Sequence, residues 1–228
     1  MVFSSIVFLF YFLPIFLIVY GITPRKYRNL TLLVGSIVFY AMGDVRYLPL
    51  LMISILCNYF LGLHLAKRSP KTLWRKKLLL ILTLGANLAV LLWFKDWGGS
   101  AGLPLGISFY TFQILSYQID VYRGEVSREY SFLKFATYVS MFPKLISGPI
   151  TRYGDISDSL TERTFTVRGL EDGMKLFILG LAAKVLLADR VGILWHEVQV
   201  TGFESISTPL AWLAAIAYSM EIYFDFWG

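Results

Sequence analysis

The sequence predicts an all-α protein, a polytopic membrane bundle of about seven or eight transmembrane or re-entrant helices. Three observations carry that prediction. Hydrophobic residues fill 57% of the 228 positions and charged residues only 16%, with a mean hydropathy of +0.63, whereas a soluble domain carries about 25% charge. The apolar residues gather into runs close to the roughly 20 residues that cross a hydrocarbon core. The basic residues fall in short tracts between those runs.

The spans read from these runs are 3–20, 30–43, 48–66, 78–94, 104–120, 132–150, 173–194 and 208–226, and residues 1–228 are read as a single membrane domain. Residues 3–20 hold no charge and lead into Pro24 and a basic cluster. With no basic start and no small-residue cleavage site, this run reads as a retained span and not a signal peptide. Asn58 and Asn87 are the strongly polar side chains in their spans, and each is expected to make an interhelical hydrogen bond. Trp93 and Trp97 suit an interfacial belt. Pro143, Gly148 and Pro149 interrupt the sixth run, and such breaks are tolerated where the backbone is buried in protein or lines a cavity.

Charge sets the expected orientation. Through Lys95 there are eleven Lys/Arg and one acid, Asp44; beyond it, ten Lys/Arg face fourteen Asp/Glu. The first and third connections carry three and six basic residues, the second and fourth one each. By the positive-inside rule the first and third lie in the cytoplasm and the N-terminus faces outward, to the periplasm or cell exterior. The sixth connection, 151–172, fits the outer side poorly with Arg152, Arg163 and Arg168, and is expected to lie along an interface or re-enter. Basic tracts between apolar runs serve topology near anionic lipid, so nucleic acid is not an expected partner.

Polar side chains appear at membrane depth after Leu103. At about 100° per residue, Tyr110, Gln113, Ser116, Tyr117, Asp120 and Arg123 share an arc of about 140° on a helix over 107–123. An ionised Asp at the bilayer centre is costly, so the stripe is expected to line a polar cavity, with Lys144 at the broken segment beside it. The bland alternatives are an Asp120–Arg123 pair near the headgroups and plain structural pairing of Lys144. Glu221 and Asp225, four apart on the last span, are expected to neutralise Lys175, Lys184 or Lys144. The single cysteine, Cys57, rules out a disulfide framework. There is no phosphate-cradling glycine loop, and His64 and His196 have no neighbour at metal-ligand spacing, so no metal site is expected and no catalytic residue is assigned.

Four blocks in order, GISFYTFQILSYQIDVYRGE (106–125), FPKLISGPITRY (142–153), LGLAAKVLLADR (179–190) and YFDFWG (223–228), resemble the bacterial branch of the membrane-bound O-acyltransferase family. The likeness is closest to its alginate O-acetylation group and weaker to the group that transfers D-alanine to teichoic acid. The resemblance implies a helical bundle around a central tunnel and transfer of an acyl group, usually acetyl, to a cell-surface polysaccharide hydroxyl. It implies a donor of unspecified identity arriving from the cytoplasmic side, no bound cofactor, and partners among the lipid bilayer, the polysaccharide acceptor and other exopolysaccharide-acetylation proteins. Trp227 replaces a usual Ser, and Lys144 a usual Gln or His. The family's active-site histidines, one in a Trp-His-Gly context, fall outside these blocks. The resemblance therefore implies the N-terminal half of such an enzyme, inactive alone. A transporter or flippase subunit, or a non-catalytic scaffold for a separate acyltransferase, is the competing reading.

Overall fold

A computed structural model describes residues 4–65, 73–97, 102–146, 148–163, 166–202 and 205–227. Their regular elements are all helices, with no strand among the described residues, and two stretches, Arg25–Leu65 and Trp74–Asp96, are long and apolar enough to cross a membrane. The helices gather into two compact units, Met1–Arg163 and Thr164–Gly228.

The first unit holds α1 (Leu13–Ile22, entered through a π turn at Phe8–Phe12), α2 (Arg28–Asp44), α3 (Leu48–Leu65), α4 (Leu73–Leu92), α5 (Ile107–Arg123), α6 (Phe132–Ser140) and α7 (Tyr153–Thr161). Asp44 adopts an extended conformation that stops α2, and its carboxylate accepts from the Arg46 backbone and guanidinium. Those Arg46 hydrogen bonds hold the Asp44 carboxyl below its ordinary range. The two span asparagines bond reciprocally as expected: Asn58 Nδ2 donates to Asn87 Oδ1 at 3.0 Å and Asn87 Nδ2 to Asn58 Oδ1 at 2.9 Å. Gly62 admits the Tyr117 ring, which a Cβ there would meet at 3.0 Å; small residues let helices close in this way.

The expectation of one span over 132–150 is corrected. Helix α6 is capped by the Ser131 hydroxyl and ends after nine residues at Ser140. Met141 then turns out of helical geometry into a 3-10 turn at Phe142–Lys144, with Pro143 in its first positions, where the missing N–H costs no helical hydrogen bond. The chain doubles back. The Tyr138 hydroxyl donates to the Thr151 carbonyl at 3.0 Å, the Tyr153 hydroxyl reaches Glu129, and the Tyr153 ring packs on Tyr117 and Tyr138 at 5.2 and 5.1 Å. Helix α7, an element absent from the expected spans, then lies beside the start of α2: Asn29 Nδ2 donates to Leu160 O at 2.9 Å, and Lys134 Nζ to Thr161 at 3.0 Å. Residues 124–131 and 153–163 therefore sit at the same end of this unit.

The hairpin tip is sealed from two sides. Phe142 packs against Phe12, Phe16 and Phe39 at 5.4, 5.1 and 5.5 Å, and its N–H donates to the buried Ser36 hydroxyl at 3.1 Å. On the other side Gly106, with φ +66°, opens α5, and a Cβ there would stand 2.1 Å from the Leu145 carbonyl oxygen.

The second unit is α8 (Val167–Ala182), a π segment (Ala183–Ala188), α9 (Asp189–Thr201) and α10 (Thr208–Trp227), so the expected span 173–194 is the middle of a longer helical run. Five residues on an α-helix lie about 140° apart. The i→i+5 pairing of a π turn brings them to one face, and Lys184 accordingly meets Asp189 at 3.0 Å while also pairing with Asp225. Of the two carboxylates expected to neutralise a lysine, Asp225 does so with Lys184. Glu221 instead lies against Gly192, whose Cβ would meet its carboxylate at 2.6 Å. Lys175 pairs with Glu171 at 2.7 Å.

The packing at Gly106 predicts a contrast between two glycines. Gly106→Ala forces a non-glycine residue to positive φ against a fixed carbonyl, and should destabilise by about 2–3 kcal/mol. Gly85→Ala, mid-helix with nothing within 4 Å, should be neutral or stabilise by roughly 0.5–1 kcal/mol. Thermal unfolding in detergent micelles measures both, and equal shifts would contradict the close approach.

Candidate functional site

Helix α5 is the centre of the first unit. Gly106 starts it, and Gly124 at φ +79° closes it with its N–H on the Asp120 and Val121 carbonyls, the left-handed cap glycine supplies at little cost. Its polar arc is buried: Tyr110, Gln113, Tyr117 and Asp120 are 1–6% exposed and Ser116 half-buried, while Arg123 is exposed and pairs loosely with Glu125 at 3.6 Å. The opposite face is buried too, with Ile114 at 0% and Val121 at 4%. The expected contrast between a polar face and an apolar one is thus chemical and not one of exposure.

Two kinds of polar group share this core. The first kind is hydrogen-bonded, although Gln118 Oε1 has no partner among the described residues. Glu129 N–H donates to the Tyr117 hydroxyl at 2.9 Å, the Glu129 carboxylate accepts from Ser131 N–H at 2.7 Å and from the Tyr153 hydroxyl, and Gln118 Nε2 donates to Asn58 O at 2.7 Å. Burial, and then the Glu129 carboxylate, push the Tyr153 hydroxyl well above the ordinary tyrosine range. It stays protonated and holds the return strand to the loop after α5.

The second kind is unspent. The Tyr110 hydroxyl, the Tyr40 hydroxyl of α2 and the Lys144 ammonium are shut from solvent and have no hydrogen-bond partner among the described residues. The Asp120 carboxylate makes neither a hydrogen bond nor an ion pair among them; its expected alternative pairing with Arg123 does not form. Lys144 stands at the hairpin tip with Nζ 5.4 Å from the centre of the Tyr138 ring. The Tyr138 hydroxyl in turn lies 3.4 Å from the Gln113 carbonyl, so one tyrosine of α6 touches both Lys144 and α5. Of the seven expected residues, Arg123 alone points out of this core. Tyr40, Tyr138, Tyr153 and Glu129 were not singled out by sequence, where they read as ordinary aromatic and loop residues.

Neither histidine belongs here. His64 is exposed at the end of α3 with Nδ1 2.8 Å from the Phe60 carbonyl, and His196 is exposed on α9. Among the described residues no cluster of His, Cys, Asp or Glu could hold a metal. A groove of about 530 Å³ in the second unit is lined by Trp212, Ile216, Met220 and Tyr223 of α10; it is apolar and carries none of these groups.

No family model matches the chain, but curated relatives do along all of it. It is 40% identical over 248 residues to a probable alginate O-acetylase AlgI of Pseudomonas putida, covering 100% of this chain and 50% of the relative. It is 40% identical to the Pseudomonas aeruginosa protein of that name, covering 47% of it. It is 32% identical to the peptidoglycan O-acetyltransferase of Helicobacter pylori, covering 100% of this chain and 52% of that one.

The chain belongs to the membrane-bound O-acyltransferase family. It spans about half the length of the curated relatives it matches.

An uncompensated buried charge weakens a fold. Asp120→Asn and Lys144→Met, which keep shape and remove charge, should each leave the unfolding midpoint unchanged or raise it, by about 1 kcal/mol or more in stability. A loss of that size on either change would show a partner that the described residues do not provide.

Proposed function

We propose that this chain supplies the acceptor-side and donor-side walls of a membrane-bound O-acyltransferase that moves an acetyl group onto a hydroxyl of a cell-surface polysaccharide. The observation that carries the reading is the likeness to alginate O-acetylases over the whole chain, together with the unspent polar groups on α5 and the hairpin.

The chemistry asks for such groups. A hydroxyl attacking an acyl carbonyl needs an acceptor for its proton, and the oxygen of the tetrahedral intermediate needs preorganised donors. Among the described residues the Tyr110 hydroxyl and the Lys144 ammonium have no acceptor, and no hydrogen bond or ion pair is formed by the Asp120 carboxylate. Gln113, Ser116 and Tyr117 complete the polar wall along α5. Each sits where burial in protein raises the strength of any hydrogen bond it makes to a substrate.

The same reading sets the topology. With residues 151–163 brought to the end that carries 25–29, 73–77 and 123–128, that end holds ten Lys/Arg among the described residues of the first unit, and the opposite end holds Arg46, Lys95 and Lys144. Arg152 and Arg163, which fitted the outer side poorly, then belong to the basic end. The basic end lies in the cytoplasm of an inner-membrane protein, the N-terminus faces outward, and the acyl donor arrives on the basic side. Other exopolysaccharide-acetylation proteins are its partners.

The test is the O-acetyl content of secreted polysaccharide from cells lacking the gene and complemented with variants. The wild-type gene should restore acetylation. Asp120→Asn should lower it at least tenfold at equal membrane abundance, and Ile114→Val should restore it fully. Full acetylation with Asp120→Asn would remove that carboxylate from the site.

A further inference from the structure

At the basic end of the first unit two arginines from distant parts of the chain meet on one aromatic ring. The Arg28 guanidinium carbon lies 5.7 Å from the centre of the Tyr20 ring, and that of Arg163 lies 5.8 Å from it. Arg163 is fixed: its Nε donates to the Ser159 carbonyl at 2.7 Å, one Nη to the Tyr20 hydroxyl and the other to Asn29 Oδ1 at 2.6 Å. Those bonds leave part of its donor fork open. Arg28 is the opposite case. Its Nε is shut from solvent, and its guanidinium makes no hydrogen bond among the described residues.

Among the described residues no carboxylate pairs with either one. The ion pairs formed by described residues involve Arg46, Arg123, Lys175 and Lys184 only. Arg28 also opens α2, a seventeen-residue helix whose first turn has no acidic residue and no side-chain cap, so the positive end of its dipole adds to the same place. Arg25 and Lys26, exposed in the 3-10 turn just before it, add two more cations. Like charges gathered without a counter-charge call for an anion. Two guanidinium forks held on one ring suit a tetrahedral oxyanion better than a lone ammonium would.

We propose that Arg28 and Arg163, stacked about Tyr20, form a binding site for a phosphate group. The site is independent of the acyl-transfer reading, since none of its residues belongs to the polar core on α5. The phosphate comes either from a phospholipid headgroup or from a soluble phosphate ester. The exposed apolar side chains of α1 beside it, Ile15, Ile18 and Ile22, would flank the acyl chains of the former.

Purified full-length chain, stripped of lipid in detergent, separates these sources. Binding is followed by native mass spectrometry and by the unfolding midpoint with phosphatidylglycerol, with oleate as a carboxylate of similar chain, and with glycerol 3-phosphate. Arg28→Gln removes the guanidinium that makes no hydrogen bond in the fold and should leave the lipid-free midpoint unchanged. Arg163→Lys keeps the charge and loses the fork. Wild-type protein should bind phosphatidylglycerol at least fivefold more tightly than either variant. Glycerol 3-phosphate competing for the same site would assign a soluble ester, and no competition would assign the lipid headgroup. Equal affinity in wild type and Arg28→Gln, or oleate bound as tightly as phosphatidylglycerol with the same dependence on Arg28, would overturn the proposal.

Discussion

The first unit turns on one constraint: the chain leaves helix α6 at Ser140, and the buried tip at Phe142 and Leu145 must have its backbone polar groups met within the protein. Side chains meet them. Ser36 of α2 takes the Phe142 N–H, and Tyr138 of α6 reaches the Thr151 carbonyl. Gly106 yields the space that the Leu145 carbonyl occupies. Because these partners come from α2, α5 and α6, the hairpin tip locks three helices at once. The aromatic seal of Phe12, Phe16, Phe39 and Phe142 excludes water from that lock, which strengthens each hydrogen bond inside it.

Much of this was legible in the sequence, and the parts that were not have a physical reason. Helix positions followed from runs of apolar residues. The Asn58–Asn87 bond followed from two polar side chains with nothing else to satisfy them at depth. Pro143, Gly148 and Pro149 announce a break. They do not say whether the chain continues across or returns, because that choice rests on contacts with residues about forty to a hundred positions away, at Gly106 and Ser36. Helix α7 escaped for a related reason: Tyr153–Thr161 is short and polar, and it is held by Asn29 and Lys134 more than by any pattern of its own. The polar arc on α5 follows from residue spacing on one helix, but a single helix cannot reveal that its neighbours bury both sides.

The polar core mixes groups that hold the fold with groups that hold nothing. Glu129 links Tyr117 and Tyr153, its N–H donating to the one hydroxyl and its carboxylate accepting from the other. Tyr110, Lys144 and Asp120 are left over, and folds seldom keep unmatched buried polar groups without a use for them. The proposed acyl transfer would give such groups a use. Arg28 and Arg163 beside Tyr20 share no residue with them, so the two proposed sites can be tested separately.

The doubling-back of residues 141–152 is the central claim, and thiol labelling tests it most directly. In a Cys57→Ser background, single cysteines replace Glu125, in the loop before the hairpin, and Ser159, on α7 after it; both positions are exposed. A membrane-impermeant maleimide is applied to spheroplasts and to inside-out vesicles. A returning chain predicts that both cysteines label from the cytoplasmic face alone. Labelling of the two from opposite faces would mean that 132–150 crosses the membrane, and would contradict the account.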